Sequence, residues 1–201
     1  MSRFLFFDTE TTGFPRDRRA PYTHARNWPR IVQLAWAVVE EDGREAAAEE
    51  HLIRPEGFAI PADAVRVHGI TTERARAEGL PLADTLGRFL AALDGEGPSV
   101  ALVTHNLDFD RNVIAAELHR LGHARPDIER TFFRRPAHCT MQESTAYCRI
   151  PGARGRFKWP TLEQLHRKLF GKGIEGAHTS LADVRACARC FFRLRELGVM
   201  G

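Results

Sequence analysis

At 201 residues, 43% hydrophobic and 27% charged, the chain has the size and composition of one ordinary globular domain, 1–201, with a sizeable core. The formal charge of +3 is compatible with a polyanionic partner without requiring one. No stretch approaches the roughly 20 apolar residues of a membrane span, so no spanning helix and no membrane partner are expected.

The first apolar run, Phe4–Phe7, is short and ends at Asp8, so no signal peptide is expected. Of the four cysteines, Cys187 and Cys190 have the spacing of a metal or redox pair but no matching second pair. They read as core thiols in a reducing, cytoplasmic setting. Arginine outnumbers lysine 26 to 3, a bias read as coding preference rather than phosphate recognition.

The opening third reads as a meander of strands at Arg3–Asp8, Ile31–Glu40 and roughly Glu45–Ile53. Between the first two lies Phe14–Arg30, with five arginines against Asp17 alone. A connection that long is often functional, and a solvated surface loop is the equal alternative. A short helix is expected at Thr72–Ala77 behind a Thr71 or Thr72 cap, and a longer one over Pro81–Leu93 from its helical apolar spacing. Val100–Val103 reads as a buried strand and Phe109–Leu121 as a helix stopped by Gly122. Segment 130–158 reads as irregular and basic. Helices are expected at Thr161–Phe170 and Thr179–Leu197, the last facing the core with Leu181, Val184, Ala188, Phe191 and Leu194. Together these describe an α/β fold, a mixed sheet flanked by helices.

In open α/β sheets, sites gather at strand ends and adjacent helix termini. Four acids stand at such places. Asp8 and Glu10 leave strand one on the same side, because strand side chains alternate between faces. Asp110 opens a helix, and Asp183 lies near the start of the last one. Asp108 is read as the cap of its helix, leaving Asp110 for chemistry. Singly, each acid has an ordinary structural role to play; their joint placement points to a site. Converging carboxylates without a thiol pattern suit hard cations such as Mg²⁺ or Mn²⁺. A pair of such ions about 3.5–4 Å apart suits phosphoryl displacement. His178, placed in the loop before the last helix, could then take a proton from the attacking water.

The segments Asp8-Thr-Glu-Thr-Thr-Gly13, His105-Asn-Leu-Asp-Phe-Asp110 and His178-Thr-Ser-Leu-Ala-Asp183 resemble, in order and spacing, the three motifs of the DEDDh 3′–5′ exonucleases. Val67-His-Gly-Ile-Thr71 is similar to a further family segment beside the bound terminal nucleotide. The resemblance implies an RNase H-like fold with a mixed five-stranded sheet. It implies two Mg²⁺ or Mn²⁺ ions on Asp8, Glu10, Asp110 and Asp183, with His178 as general base. It further implies contacts to the terminal nucleotide from Thr11, Asp63 and His68, with Asn106 supporting the site. The expected activity is release of nucleoside 5′-monophosphates from single-stranded or frayed DNA 3′ ends. An exoribonuclease and a non-catalytic, polymerase-associated binding module are the alternatives, and a DNA polymerase is a conceivable partner of either DNA reading.

Overall fold

The computed structural model describes residues 3–95, 97, 100–174 and 179–200. Its five-stranded sheet contains β1 (Arg3–Thr11), β2 (Ile31–Glu40), β3 (Glu45–Leu52), β4 (Ala101–Thr104) and β5 (Ala137–Cys139), in the order β3-β2-β1-β4-β5. The meander β1–β2–β3 is antiparallel, whereas β4 and β5 run parallel to β1, so the sheet is mixed. Helices α1 (Ala62–His68), α2 (Thr72–Glu78) and α3 (Leu82–Gly95) follow the meander. Helix α4 (Leu107–Arg120) follows β4, and three single turns come next: α5 (Arg125–Ile128), α6 (Thr140–Glu143) and α7 (Thr145–Cys148). Helices α8 (Leu162–Phe170) and α9 (Ser180–Glu196) complete the described residues.

Alternation along β1 sorts the molecule into two layers. Leu5 and Phe7 face one core with Trp36, Phe89, Val113 and Ile114, beneath α3 and α4. Phe4 and Phe6 face the other, against Val184, Cys187, Phe191 and Leu194 of α9. The Phe191 ring packs 4.9 Å from Phe4 and 5.5 Å from Phe6 between centroids. Truncating so large a buried ring costs about 3–5 kcal/mol, comparable with much of a domain's stability. Both layers are apolar and carry aromatic rings, which packs β1 firmly in the middle of the sheet.

Two expectations need correction, and one helix had no sequence signal. Strand β1 runs on to Thr11 instead of ending at Asp8, and its register with β2 shifts between Glu10 and Thr11. Such a bulge re-aims side chains where a strand ends. Residues 62–68 form a helix that its apolar pattern hardly marks, and Gly69 closes it with a left-handed φ of 72°. Segment 130–158 is not irregular throughout, since it supplies the fifth strand and two helical turns. A three-residue strand is too short to leave a period-two signature.

The basic loop 14–30 is half buried in the core rather than wholly solvated. Tyr22 and Trp28 insert into the α4 layer, and Arg30 Nε donates to Glu117 Oε1 at 2.8 Å. Its two ends are fastened together, with Thr12 N donating to Arg30 O and Arg30 N to Thr12 Oγ1. All four cysteines are buried and free, in agreement with the reading as core thiols. Among the described residues no helix is long and apolar enough to cross a membrane.

Candidate active site

Strands β1 and β4 lie parallel and adjacent, so their carboxyl ends open on the same edge of the sheet. Beyond that edge lies a cleft of about 250 Å³ lined by Asp8, Glu10, Thr11, Asn106, Asp110 and Asp183, with Ala64, Val67 and His68 from α1 on its rim. Asp8 and Glu10 emerge on the α9 face, as two residues of one strand face must. Asp183, in the first turn of α9, meets them there. Ligand oxygens of Asp8, Glu10 and Asp183 fall within 4.8 Å of one another.

Asp110 reaches the cleft from the opposite layer, in the first turn of α4. Its Oδ1 accepts from Thr9 Oγ1 at 2.7 Å and from Thr9 N at 3.2 Å, and its Oδ2 accepts from Thr104 Oγ1 at 3.0 Å. Thr9 points to the α4 face because it alternates with Asp8 and Glu10. One strand therefore supplies two cleft carboxylates and, from its other face, the hydroxyl that orients a third.

Crowded acids should resist ionising together. Burial, then the neighbouring Asp110, Glu10 and Asp183, push the Asp8 carboxyl well above its ordinary range, against a smaller opposing effect of the Ser180 hydroxyl. Burial and then Asp183 and Asp110 raise Glu10 to about 7. Burial raises Asp110 to about 6 despite the bonds from Thr9 and Thr104. Such a cluster is a poor way to hold a fold together and a good way to hold a hard cation.

The other expected site residues separate. Thr11 lines the cleft, its Oγ1 donating to Gly13 O at 2.7 Å. Gly13 has a φ of 137°, so the turn carrying the chain away from the site demands glycine there. His68 is buried on the rim; its Nδ1 accepts from Ile70 N at 3.0 Å, and burial lowers its pKa. Asn106 lines the cleft at the start of α4. Asp63 does not join them. It lies on the outside of α1, with its side chain 88% exposed and paired with Arg66. His178 lies outside the described residues. Asp108 is not the helix cap expected of it: Asn106 holds that position, and Asp108 sits in the first turn bound to Arg111 and Gln142.

Sequence reasoning passed over Thr9, Thr104, Phe14 and Phe109. Thr9 was visible as the residue between two acids on one strand, and Phe14 as an apolar residue just past a glycine turn. Phe14 is 74% exposed, with Phe109 at 5.9 Å between ring centroids.

A mixed sheet in this order, helices on both faces and a carboxylate cluster at the ends of its parallel strands define an RNase H-like nuclease fold. The sequence matches the RNase_T family, described as Exonuclease, over residues 5–191, and the chain belongs to this family of DEDDh 3′–5′ exonucleases. It is 31% identical over 127 residues to the 3′–5′ exonuclease DinG of Bacillus subtilis (strain 168), a match covering 63% of this chain and 12% of that protein. Its fold is similar to that of E. coli exonuclease I in complex with a dA16 oligonucleotide, with a TM-score of 0.76 and 21% identity across 98% of this chain and 41% of that one. Exonuclease I from Methylocaldum szegediense gives a TM-score of 0.74 and 22% identity, again across 98% of this chain and 41% of the other. The chain thus spans less than half the length of each of these relatives.

Proposed function

We propose that the chain is a divalent-metal-dependent 3′–5′ exonuclease that releases nucleoside 5′-monophosphates from single-stranded or frayed DNA 3′ ends. The observation that carries this reading is the meeting of Asp8, Glu10 and Asp183 within 4.8 Å, with Asp110 on the same cleft. The donor set fits a hard cation, since every ligand offered is a carboxylate oxygen and the raised pKa values mark negative charge in want of a positive partner. When bound there, a pair of Mg²⁺ or Mn²⁺ ions supplies charge stabilisation at the attacking and leaving oxygens of phosphoryl displacement.

Asp8, Glu10, Asp110 and Asp183 are the holding groups, and Thr9 and Thr104 fix the direction of Asp110. Thr11, Asn106 and the α1 rim at Val67 and His68 position the terminal nucleotide. His178 acts as the general base: it takes a proton from water, whose oxygen bonds to phosphorus as the bond to the 3′ oxygen breaks. It stands five residues before Asp183 in the sequence, the step that the family's third motif has. DNA is preferred over RNA because the exonuclease I relatives are described with deoxyoligonucleotides.

The deciding experiment degrades matched 3′-labelled DNA and RNA, single- and double-stranded, with Mg²⁺, Mn²⁺ or EDTA. Labelled mononucleotide should appear first from single-stranded DNA and not at all in EDTA. Turnover in EDTA, or full turnover by Asp8→Asn or Asp183→Asn, would remove the metal assignment. Faster release from RNA would replace the substrate.

A further inference from the structure

A second cleft, of about 190 Å³, adjoins the first and shares Phe14, Asn106 and Phe109 with it. Its far wall is Trp159, with Arg18 and Gln142 beside it. The one carboxylate there, Asp108, is bound by Arg111 at 3.0 Å and Gln142 at 3.0 Å, so this cleft offers aromatic faces and the Arg18 guanidinium without an unpaired carboxylate. Trp159 is 55% exposed, and Phe157 is 48% exposed two residues before it.

These two rings stand at the end of a small hairpin, residues 150–158, exposed from Pro151 onward. Gly152 N donates to Arg156 O at 2.9 Å and Lys158 N donates to Ile150 O at 2.9 Å, closing it. A Cβ at Gly152 would lie 2.7 Å from Arg156 O, so only glycine lets the two limbs approach so closely. Segment 149–159 contains Arg149, Arg154, Arg156 and Lys158 and no acid. All four are exposed and make no ion pair among the described residues. Arg149 and Arg154 also hold positive φ, 53° and 55°, and no other described non-glycine residue does so. Glycine or asparagine would hold those turns with less strain, and strain of this kind collects in functional segments.

The hairpin is fastened to the catalytic edge. His105 Nε2 donates to Pro160 O at 3.0 Å, directly after Trp159, and its Nδ1 accepts from Thr140 Oγ1 at 3.0 Å. His105 is the residue before Asn106 at the end of β4, so hairpin and cleft are held in one frame.

We infer that the 150–158 hairpin and Trp159 are a capture site for the nucleic-acid strand upstream of the reacting nucleotide. Trp159 stacks an unpaired base in the second cleft, and Arg154, Arg156 and Lys158 bind successive phosphates. Alternating basic and aromatic residues on an exposed ribbon are the chemistry that single strands need: cations for the backbone, flat faces for the bases. The inference rests on the exonuclease reading, since that reading places the 3′ end in the neighbouring cleft. It makes the hairpin the element that favours long single strands over short ones.

The test compares an oligothymidylate of about twelve nucleotides, long enough to span such a site, with thymidine dinucleotide, which ends inside the first cleft. The readout is the ratio of kcat/KM on the long substrate to that on the short one, with Mg²⁺. Each phosphate contact to a single strand contributes about 0.7 to the salt slope. Replacing three cations in Arg154→Ser/Arg156→Ser/Lys158→Ser should therefore flatten the slope by about 2. The ratio should fall about 100-fold at about 0.1 M salt, through KM, and the difference from wild type should vanish near about 1 M. Trp159→Ala should lower the ratio about tenfold and Trp159→Phe should restore most of it. A triple variant with the wild-type ratio and salt slope overturns the inference, as does an equal loss on both substrates. Should the wild type cleave neither substrate, the exonuclease reading fails. The hairpin is then judged by anisotropy of the labelled long oligonucleotide. Salt-dependent binding lost in the triple variant upholds it, and unchanged or absent wild-type binding refutes it.

Discussion

Acidification should loosen this protein through one imidazole. His105 has its pKa pushed down to about 4 from 6.5, because burial penalises the cation more than the Pro160 carbonyl favours it. A carbonyl can only accept, so Nε2 carries the proton and Nδ1 takes the Thr140 hydroxyl. Between pH about 6.5 and about 4 the unfolded chain binds a proton there that the folded chain refuses. Stability from this group is therefore complete above the upper value and is lost as pH falls through the lower one. At 1.36 kcal/mol per pH unit the loss is about 3 kcal/mol, a large part of the usual 5–15 kcal/mol. His105→Gln keeps an amide donor for Pro160 and removes the titration. Urea unfolding of both proteins at steps from about pH 7 to about pH 4 cancels the other titrating groups in the difference. The wild type should lose about 3 kcal/mol more than the variant over that span. Parallel stability curves would show that folding does not hold His105 neutral.

Other perturbations test the site and its scaffold. Thr9→Val removes the 2.7 Å bond that orients Asp110, and loss of such a supporting partner typically lowers metal affinity about 10- to 100-fold. An unchanged Mn²⁺ titration would show that Asp110 needs no such support. Metal uptake should release protons near pH 6.5, because Glu10 is raised to about 7 and must ionise to serve as a ligand. Affinity should then fall as pH falls; calorimetry giving the same apparent enthalpy in buffers of different ionisation heat would contradict this. Glu117 is fully buried, with Arg30 Nε at 2.8 Å and Arg120 Nη1 at 3.0 Å. Glu117→Ala removes both ion pairs and the acceptor of Ile31 N, while Arg120 keeps the Trp28 carbonyl, and should cost about 3 kcal/mol in chemical denaturation. A loss under about 1 kcal/mol would mean that the ion pairs do not anchor the 14–30 loop.

The acidic stretch of β1 was legible because it obeys a local rule. A period of two places Asp8 and Glu10 on one face whatever the rest of the chain does, and the apolar run before them marks a buried strand. The capping box of Thr161 and Gln164 and the left-handed Gly171 likewise bound α8 by local chemistry, and the expected helix stands where its signals put it. The short pieces behaved differently. Nothing within Ala137–Cys139 distinguishes it from loop; it is a strand because Leu102, Val103 and Thr104 lie beside it. Helix α1 was missed for a similar reason, since its stability comes from packing Ala64 into a small cluster with Val32, Ile60 and Ile70. The same logic divided the expected nucleotide contacts. Asp63 and His68 sit about 1.4 turns apart on α1, roughly 140° around it, so one faces out to Arg66 while the other turns in to the cleft.

By itself, then, the sequence determined the chemistry on offer: which carboxylates and which strand ends, with the spacing that fits two of them on one face. Only the tertiary structure decided which groups meet. Asp110 joins Asp8 and Glu10 because β4 lies parallel to β1, and Thr9 meets it on the α4 face of β1, a pairing of residues 101 apart that no local pattern encodes. Trp159 joins Phe14 because His105 holds Pro160 across 55 residues of chain. Contacts of that range are fixed by sheet order and core packing, so their geometry exists only once both layers have closed on β1.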